Sequence, residues 1–166
     1  FAYWGRGKHH VFWCIMSSLS LFILSFFSLH AHAHKPSFGT YSSMDNSFEV
    51  TDPNISIVVY QEISCENEFL WLEFEAEAGF PLYVQVGVPQ IERLEEYRPR
   101  VAVLSPGLPE SSQLPFSVPE GLGAVVYEPQ SEPSDFYEPF TQTDSWIWIE
   151  ETLDLPESGQ GYIVAW

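Results

Sequence analysis

Positive charge is scarce in this sequence. Its 166 residues contain 6 Lys and Arg against 23 Asp and Glu, for a formal net charge of −17. Nucleic-acid binding needs clustered Lys and Arg side chains that neutralise phosphates, so the composition argues against a nucleic-acid partner. The same deficit disfavours an anionic membrane surface as a partner.

Cysteine and histidine are scarce as well. Two Cys residues exclude a disulfide-dense scaffold. Beyond residue 33 the single histidine is His34. The histidines that a Ser–His–Asp triad or a zinc site of the usual His and Cys type would need are therefore lacking from the body of the chain. The sequence also has no HExxH motif, P-loop, GxSxG elbow or dinucleotide-binding fingerprint. We therefore predict a protein without enzymatic activity.

The first 33 residues have the pattern of a signal peptide. Two basic residues precede an apolar run over 11–29, and the run ends in an Ala-His-Ala exit that closes at Ala33. This order predicts a secretory signal peptide over 1–33, with Met16 as an alternative start. The competing interpretation is a membrane anchor, because nineteen mostly apolar residues are long enough to span a bilayer. Either way we expect export, to the periplasm, the cell surface or the medium.

The remaining chain is typical of an all-β protein. We assign 34–54 to an N-terminal extension and 55–166 to a β domain that we expect to continue past Trp166. Long amphipathic helical periodicity is lacking, and one or two helical turns are expected over 91–97. Strand-like runs bounded by Pro, Gly, Asn and Asp recur instead. They are 56–63, 69–78, 81–88, 101–105, 123–128, 146–155 and 162–166. Seven short strands predict an antiparallel β-sandwich of Ig-like or jelly-roll type.

The strongest local signal is the alternation over 69–78. Apolar residues from Leu70 to Ala78 fall on one face, whereas Trp71 and three glutamates fall on the other. Gly79 permits a turn, after which 81–88 continues the alternation. We predict that these two runs pair as a hairpin.

Outward-facing tryptophans and glutamates form the candidate ligand-binding set. Alternation places Trp71, Trp146, Trp148 and Glu150 on polar faces, where the rings would stack on a sugar and the carboxylate would bind hydroxyl groups. The simpler interpretation of these faces is a solvated outer surface, which a sandwich needs somewhere.

Glu73 and Glu75 support a glycan-hydrolysing alternative. Alternate residues of a strand lie roughly 6.5–7 Å apart, within the range of two carboxylates that flank a glycosidic bond. We therefore name these two residues as the catalytic pair if the protein is an enzyme after all.

We predict no cofactor, with copper and calcium as the alternatives. A mature N-terminal His34 would offer copper an α-amine and an imidazole on one residue, but a second histidine is lacking. Calcium is the other alternative, through carboxylates such as Asp135 and Glu138 in an acidic stretch.

Three stretches carry a family resemblance. The run FEAEAGFPLYVQV over 74–86 resembles a pattern of secreted bacterial β-sandwich modules of the pre-peptidase C-terminal type, and 98–107 and 155–166 are similar to it too. These modules are attached to exported proteases and other surface proteins. The resemblance implies an accessory or binding module without catalytic residues.

Together these features predict an exported, acidic, non-catalytic protein with a binding or structural role outside the cell or at its surface. We expect its partner to be an extracellular ligand or protein, with a glycan as one alternative, and membrane contact only through an uncleaved signal or a C-terminal anchor. Three of the four basic residues beyond position 33 are Arg93, Arg98 and Arg100. Any anion-binding spot is therefore expected there.

Overall fold

The computed structural model describes residues 35–111, 113–139 and 141–166. The predicted signal peptide and His34 lie outside these ranges. Within them the chain forms strands and one short 3-10 turn at Glu92–Leu94, and no described helix is long and apolar enough to cross a membrane. The strands are β1 (Lys35–Phe38), β2 (Phe48–Val50), β3 (Ile57–Tyr60), β4 (Leu70–Ala76), β5 (Pro81–Pro89), β6 (Val101–Ser105), β7 (Gly123–Tyr127), β8 (Ser134–Glu138), β9 (Thr143–Asp154) and β10 (Gly159–Ala165).

The strands build three sheets. The largest has the order β2-β4-β10-β6-β7, the second has the order β5-β9-β8, and β1 pairs with β3. All pairs are antiparallel except β1–β3 and β2–β4, which are parallel. The all-β prediction is confirmed, and each of the seven predicted strands corresponds to an observed one. The strands β1, β2 and β8 were not predicted, and the first two lie in the stretch assigned to an N-terminal extension.

The predicted hairpin of β4 and β5 is wrong, because the two strands belong to different sheets. The chain crosses between the sheets after β4, and it crosses back beside that point after β9. The two crossings bind each other: Gly79 N–H donates to the Leu155 carbonyl (2.7 Å), and Leu155 N–H donates to the Phe80 carbonyl (3.0 Å). Gly79 has a φ of 79°, so a glycine is needed at this turn. The two crossings therefore satisfy part of each other's backbone groups, while Phe80 N–H donates within its own crossing to the Glu77 carbonyl (3.1 Å).

The main core lies between the five-stranded and three-stranded sheets. It contains side chains of β4 and β6 from one sheet and of β5 and β9 from the other. Two layers with their apolar faces turned to each other are consistent with a β-sandwich. The buried members are Phe74, Ala76, Leu82, Val84, Val88, Val101, Val103, Trp148, Ile149 and Leu155.

A second apolar cluster lies on the opposite face of the five-stranded sheet. It contains Trp71, Leu104, Tyr162 and Val164, and apolar side chains of the segment 114–122 pack onto it. We call this segment the strap. Because both faces of the sheet are covered at β6, all five β6 residues are buried. Burial on both faces explains why β6 is a continuous apolar run and not an alternating one.

Candidate functional site

Trp71 is not exposed, contrary to prediction. The register of β4 with β10 confirms that Trp71 and Glu73 share the face opposite to Phe74. The strap covers that face at Trp71, whose side chain is only 5% exposed. Phe116 of the strap contacts the indole edge-to-face, with ring centroids 5.1 Å apart. Alternation assigns a residue to a face, but it does not reveal what covers the face.

Trp146 and Trp148 are also turned inward, so their predicted outward placement is wrong. A β-bulge is the reason: Val86 pairs with Ile149, but the next residue, Gly87, pairs with Ile147. Trp148 is thus the extra residue on β9, and the alternation breaks there. Trp148 is 3% exposed in the main core, and Trp146 packs against that core.

The carboxylates of the predicted sites are spread over both sheets. Glu150 is exposed on β9 and accepts a hydrogen bond from the Tyr83 hydroxyl (2.9 Å). Glu73 and Glu75 share the outer face of β4, where Glu73 accepts bonds from Ser47 Oγ (2.9 Å) and Gln160 Nε2 (2.6 Å). The structure does not bring Glu150 together with the three tryptophans. Catalysis by the β4 pair stays a prediction.

The predicted metal ligands are placed as follows. Asp135 accepts a hydrogen bond from Gln90 Nε2 (2.7 Å), and Glu138 is buried at the end of β8. Among the described residues, no group of three or more His, Cys, Asp and Glu side chains is arranged to hold a metal ion. The copper ligand His34 lies outside the described ranges, so copper binding there stays a prediction, as does calcium binding.

An open surface cleft of about 410 Å³ gathers basic and aromatic side chains just before the N-terminal end of β6. We call it the Arg98 cleft. Two backbone hydrogen bonds join Arg100 and Trp166 at the cleft. Each residue donates its N–H to the other's carbonyl, Arg100 at 2.9 Å and Trp166 at 3.1 Å. These bonds continue the ladder between β6 and β10 beyond the ends of both strands. The lining residues are Tyr97, Arg98, Arg100, Glu128, Pro129 and Trp166.

Arg98 is held in one orientation by three contacts. Its guanidinium carbon lies 3.9 Å from the centroid of the Trp148 ring, which is a cation–π geometry. Its Nη1 donates to the carbonyls of Glu95 (2.7 Å) and Tyr97 (3.1 Å). A guanidinium carries five N–H donors, and these two bonds involve Nη1 alone. Arg98 thus presents a fixed, flat cation in the cleft.

The other walls combine an ion pair with aromatic rings. Arg100 Nε and Glu128 Oε2 are 2.7 Å apart, and both side chains are about half exposed. Burial raises the pKa of the Tyr97 hydroxyl, a group that is neutral near neutral pH even without this shift. Arg93, the third arginine of the cluster, instead lies 3.8 Å from Glu62 on the exposed surface. The cleft can therefore offer hydrogen bonds and positive charge beside the rings of Tyr97 and Trp166. The Trp166 ring also contacts Phe116 of the strap edge-to-face, with ring centroids 5.5 Å apart.

The arginines were predicted from the sequence, but the rest of the cleft was not. Glu128 and Trp166 follow the ends of β7 and β10, far from Arg98 along the chain. Only the strand order β10-β6-β7 brings them to one place. Nothing in the local sequence around either residue indicates this neighbourhood.

Among known proteins, no family model, curated protein or solved structure matches this chain. The resemblance to pre-peptidase C-terminal-type modules therefore stays a prediction.

Proposed function

We propose that this protein is an exported, non-catalytic β-sandwich binding module whose ligand occupies the Arg98 cleft. One observation carries the proposal: Arg98 is fixed over Trp148 at 3.9 Å in a cleft that is also lined by Tyr97 and Trp166. Groups held in their binding geometry before the ligand arrives lose little freedom when it binds.

The cleft chemistry favours a ring-shaped ligand that carries a carboxylate. A guanidinium matches the geometry of a carboxylate with parallel donors, and aromatic rings pack on the apolar faces of ring ligands. The acidic remainder of the surface repels anions, so an anionic group is most favourably placed beside Arg98. A hexuronate unit of a glycan has both features, which links the cleft to the glycan-binding alternative.

Replacing Arg98 by alanine should weaken hexuronate binding at least tenfold. Hydrogen bonds to a charged group contribute about 1.5–3 kcal/mol, and about 1.4 kcal/mol corresponds to tenfold in affinity. The measurement is calorimetric titration of the 166-residue chain with an oligoglucuronate and, in parallel, with the matching neutral oligoglucose. The oligoglucose should bind clearly more weakly to the unaltered chain.

Arg93→Ala is the matched control, because it removes an arginine of the same cluster that lies outside the cleft. We expect it to leave hexuronate affinity within twofold. Equal losses in both variants, or equal affinity for the charged and neutral oligomers, would refute binding at the Arg98 cleft. Cleavage of either oligomer that disappears in Glu75→Gln would refute the non-catalytic assignment and support the hydrolase alternative.

A further inference from the structure

The outward face of the three-stranded sheet carries a compact polar and aromatic patch. Along β5 the even-numbered residues Leu82 and Val84 are buried, whereas Tyr83 and Gln85 are exposed. The register places Thr152 of β9 opposite Tyr83 and Glu150 opposite Gln85, and both are exposed. We call these four residues, Tyr83, Gln85, Glu150 and Thr152, the Tyr83 platform.

Hydrogen bonds hold the Tyr83 ring in place although the side chain is 54% exposed. Its hydroxyl donates to Glu150 Oε1 (2.9 Å) and accepts from Gln85 Nε2 (3.1 Å). Desolvation, the bond to Glu150 and the negative charge of that carboxylate raise the pKa of Tyr83 to about 12. The phenol therefore stays neutral at every ordinary pH, and the ring keeps a fixed, solvent-facing position.

We propose that the Tyr83 platform binds a neutral sugar ring of a polysaccharide. The aromatic ring would pack on the C–H face of a pyranose, while Glu150 accepts and Gln85 donates hydrogen bonds to its hydroxyl groups. Residues two apart on β5 are about 7 Å apart and facing residues on β5 and β9 about 5 Å apart, a footprint comparable to one sugar ring.

Charge decides between classes of glycan. The platform contains one carboxylate and no cationic side chain, so it repels uronates and sulfated sugars and accepts uncharged ones. This proposal concerns other residues than the Arg98 cleft and does not depend on it. The one member of the predicted ligand-binding set that remains exposed, Glu150, belongs to this platform.

Affinity electrophoresis of the 166-residue chain in gels containing soluble β-glucan, xylan or mannan tests the proposal. We expect retardation by at least one of these neutral polysaccharides, and at least a tenfold weaker interaction for Tyr83→Ala. Tyr137→Ala is the matched control, because Tyr137 is also 54% exposed but lies on β8, outside the platform. Circular dichroism would verify that both variants fold.

Two results would overturn the proposal: no retardation by any of the three polysaccharides, or equal losses for Tyr83→Ala and Tyr137→Ala. Arg98→Ala should leave the retardation unchanged. Retention of polysaccharide binding by Arg98→Ala together with loss of hexuronate binding would show that the two sites act separately. If Arg98→Ala abolishes retardation while Tyr83→Ala does not, the polysaccharide binds at the Arg98 cleft and the platform is refuted.

Discussion

Replacing Phe74 by alanine should lower the free energy of unfolding by about 3–5 kcal/mol, the usual cost of deleting a buried phenylalanine side chain. Phe74 is 2% exposed at the centre of the main core. Its ring also lies against Gly161 of β10, where an added Cβ would come within 2.5 Å of Phe74 Cζ. Because glycine has no side chain, Gly161 cannot fill the cavity that removal of the Phe74 ring would leave. Since domains are stable by about 5–15 kcal/mol, a large part of the total would be lost.

Urea unfolding followed by tryptophan fluorescence measures this loss. Phe38→Ala is the control, because Phe38 is 64% exposed and has a stacked ring contact with Tyr60. We expect Phe38→Ala to cost about 1 kcal/mol or less, in the range of one aromatic pair. If the two variants unfolded at the same urea concentration, Phe74 would not lie in the core that stabilises the fold.

Replacing Gly123 by alanine should also destabilise the protein, by about 1–3 kcal/mol. Gly123 begins β7 and is buried where the chain after β6 passes over it. An added Cβ would collide with the carbonyl groups of Leu108 and Pro109. These are backbone atoms, and the Pro109 carbonyl already accepts a bond from Ala124 N–H (2.8 Å), so relief requires the segment to move as a whole.

Gly87→Ala is the matched control for this overpacking. An added Cβ at Gly87 would come within 2.8 Å of Ile147 Cδ1, the flexible end of a side chain. A small rotation relieves this contact, so we expect a loss below about 1 kcal/mol. Thermal unfolding by calorimetry compares the two variants. A Gly123→Ala protein as stable as Gly87→Ala would mean that the passage of residues 108–109 over β7 is loose.

Local sequence patterns predicted where the strands lie, but they did not predict which strands pair with each other in the sheets. The alternation of β4 was sufficient to assign Phe74 and Glu73 to opposite faces, because side chains of a strand alternate strictly. The turn at Gly79 was also predicted, but the partners of β4 and β5 were not. Whether two consecutive strands pair or cross to a second sheet depends on long-range bonds, here those between the crossings at Gly79 and Leu155.

The tryptophans show why the candidate site could not be predicted from the sequence. A single inserted residue on β9 turns Trp148 into the core, and only the unequal register with β5 reveals the bulge. Trp71 lies on the predicted face, yet Phe116 covers it from a loop-like segment without strand signals. The arginines were recognisable as a cluster along the chain. Trp148 on β9, and Glu128 and Trp166 just after β7 and β10, are far from the arginines along the chain and were not recognisable as their neighbours.

The most direct test of the proposed function is a nitrogen-15 NMR titration of the 166-residue chain with glucuronate, with glucose as the neutral reference. We expect the Arg98 Nε–H and the Trp148 and Trp166 indole N–H signals to shift with glucuronate, because these groups line the Arg98 cleft or lie directly beneath Arg98. The Trp71 indole, which is covered by the strap, should stay unchanged. Signals at Arg98, Trp148 and Trp166 that do not move, or that move equally with glucose, would contradict binding of a carboxylate in the cleft.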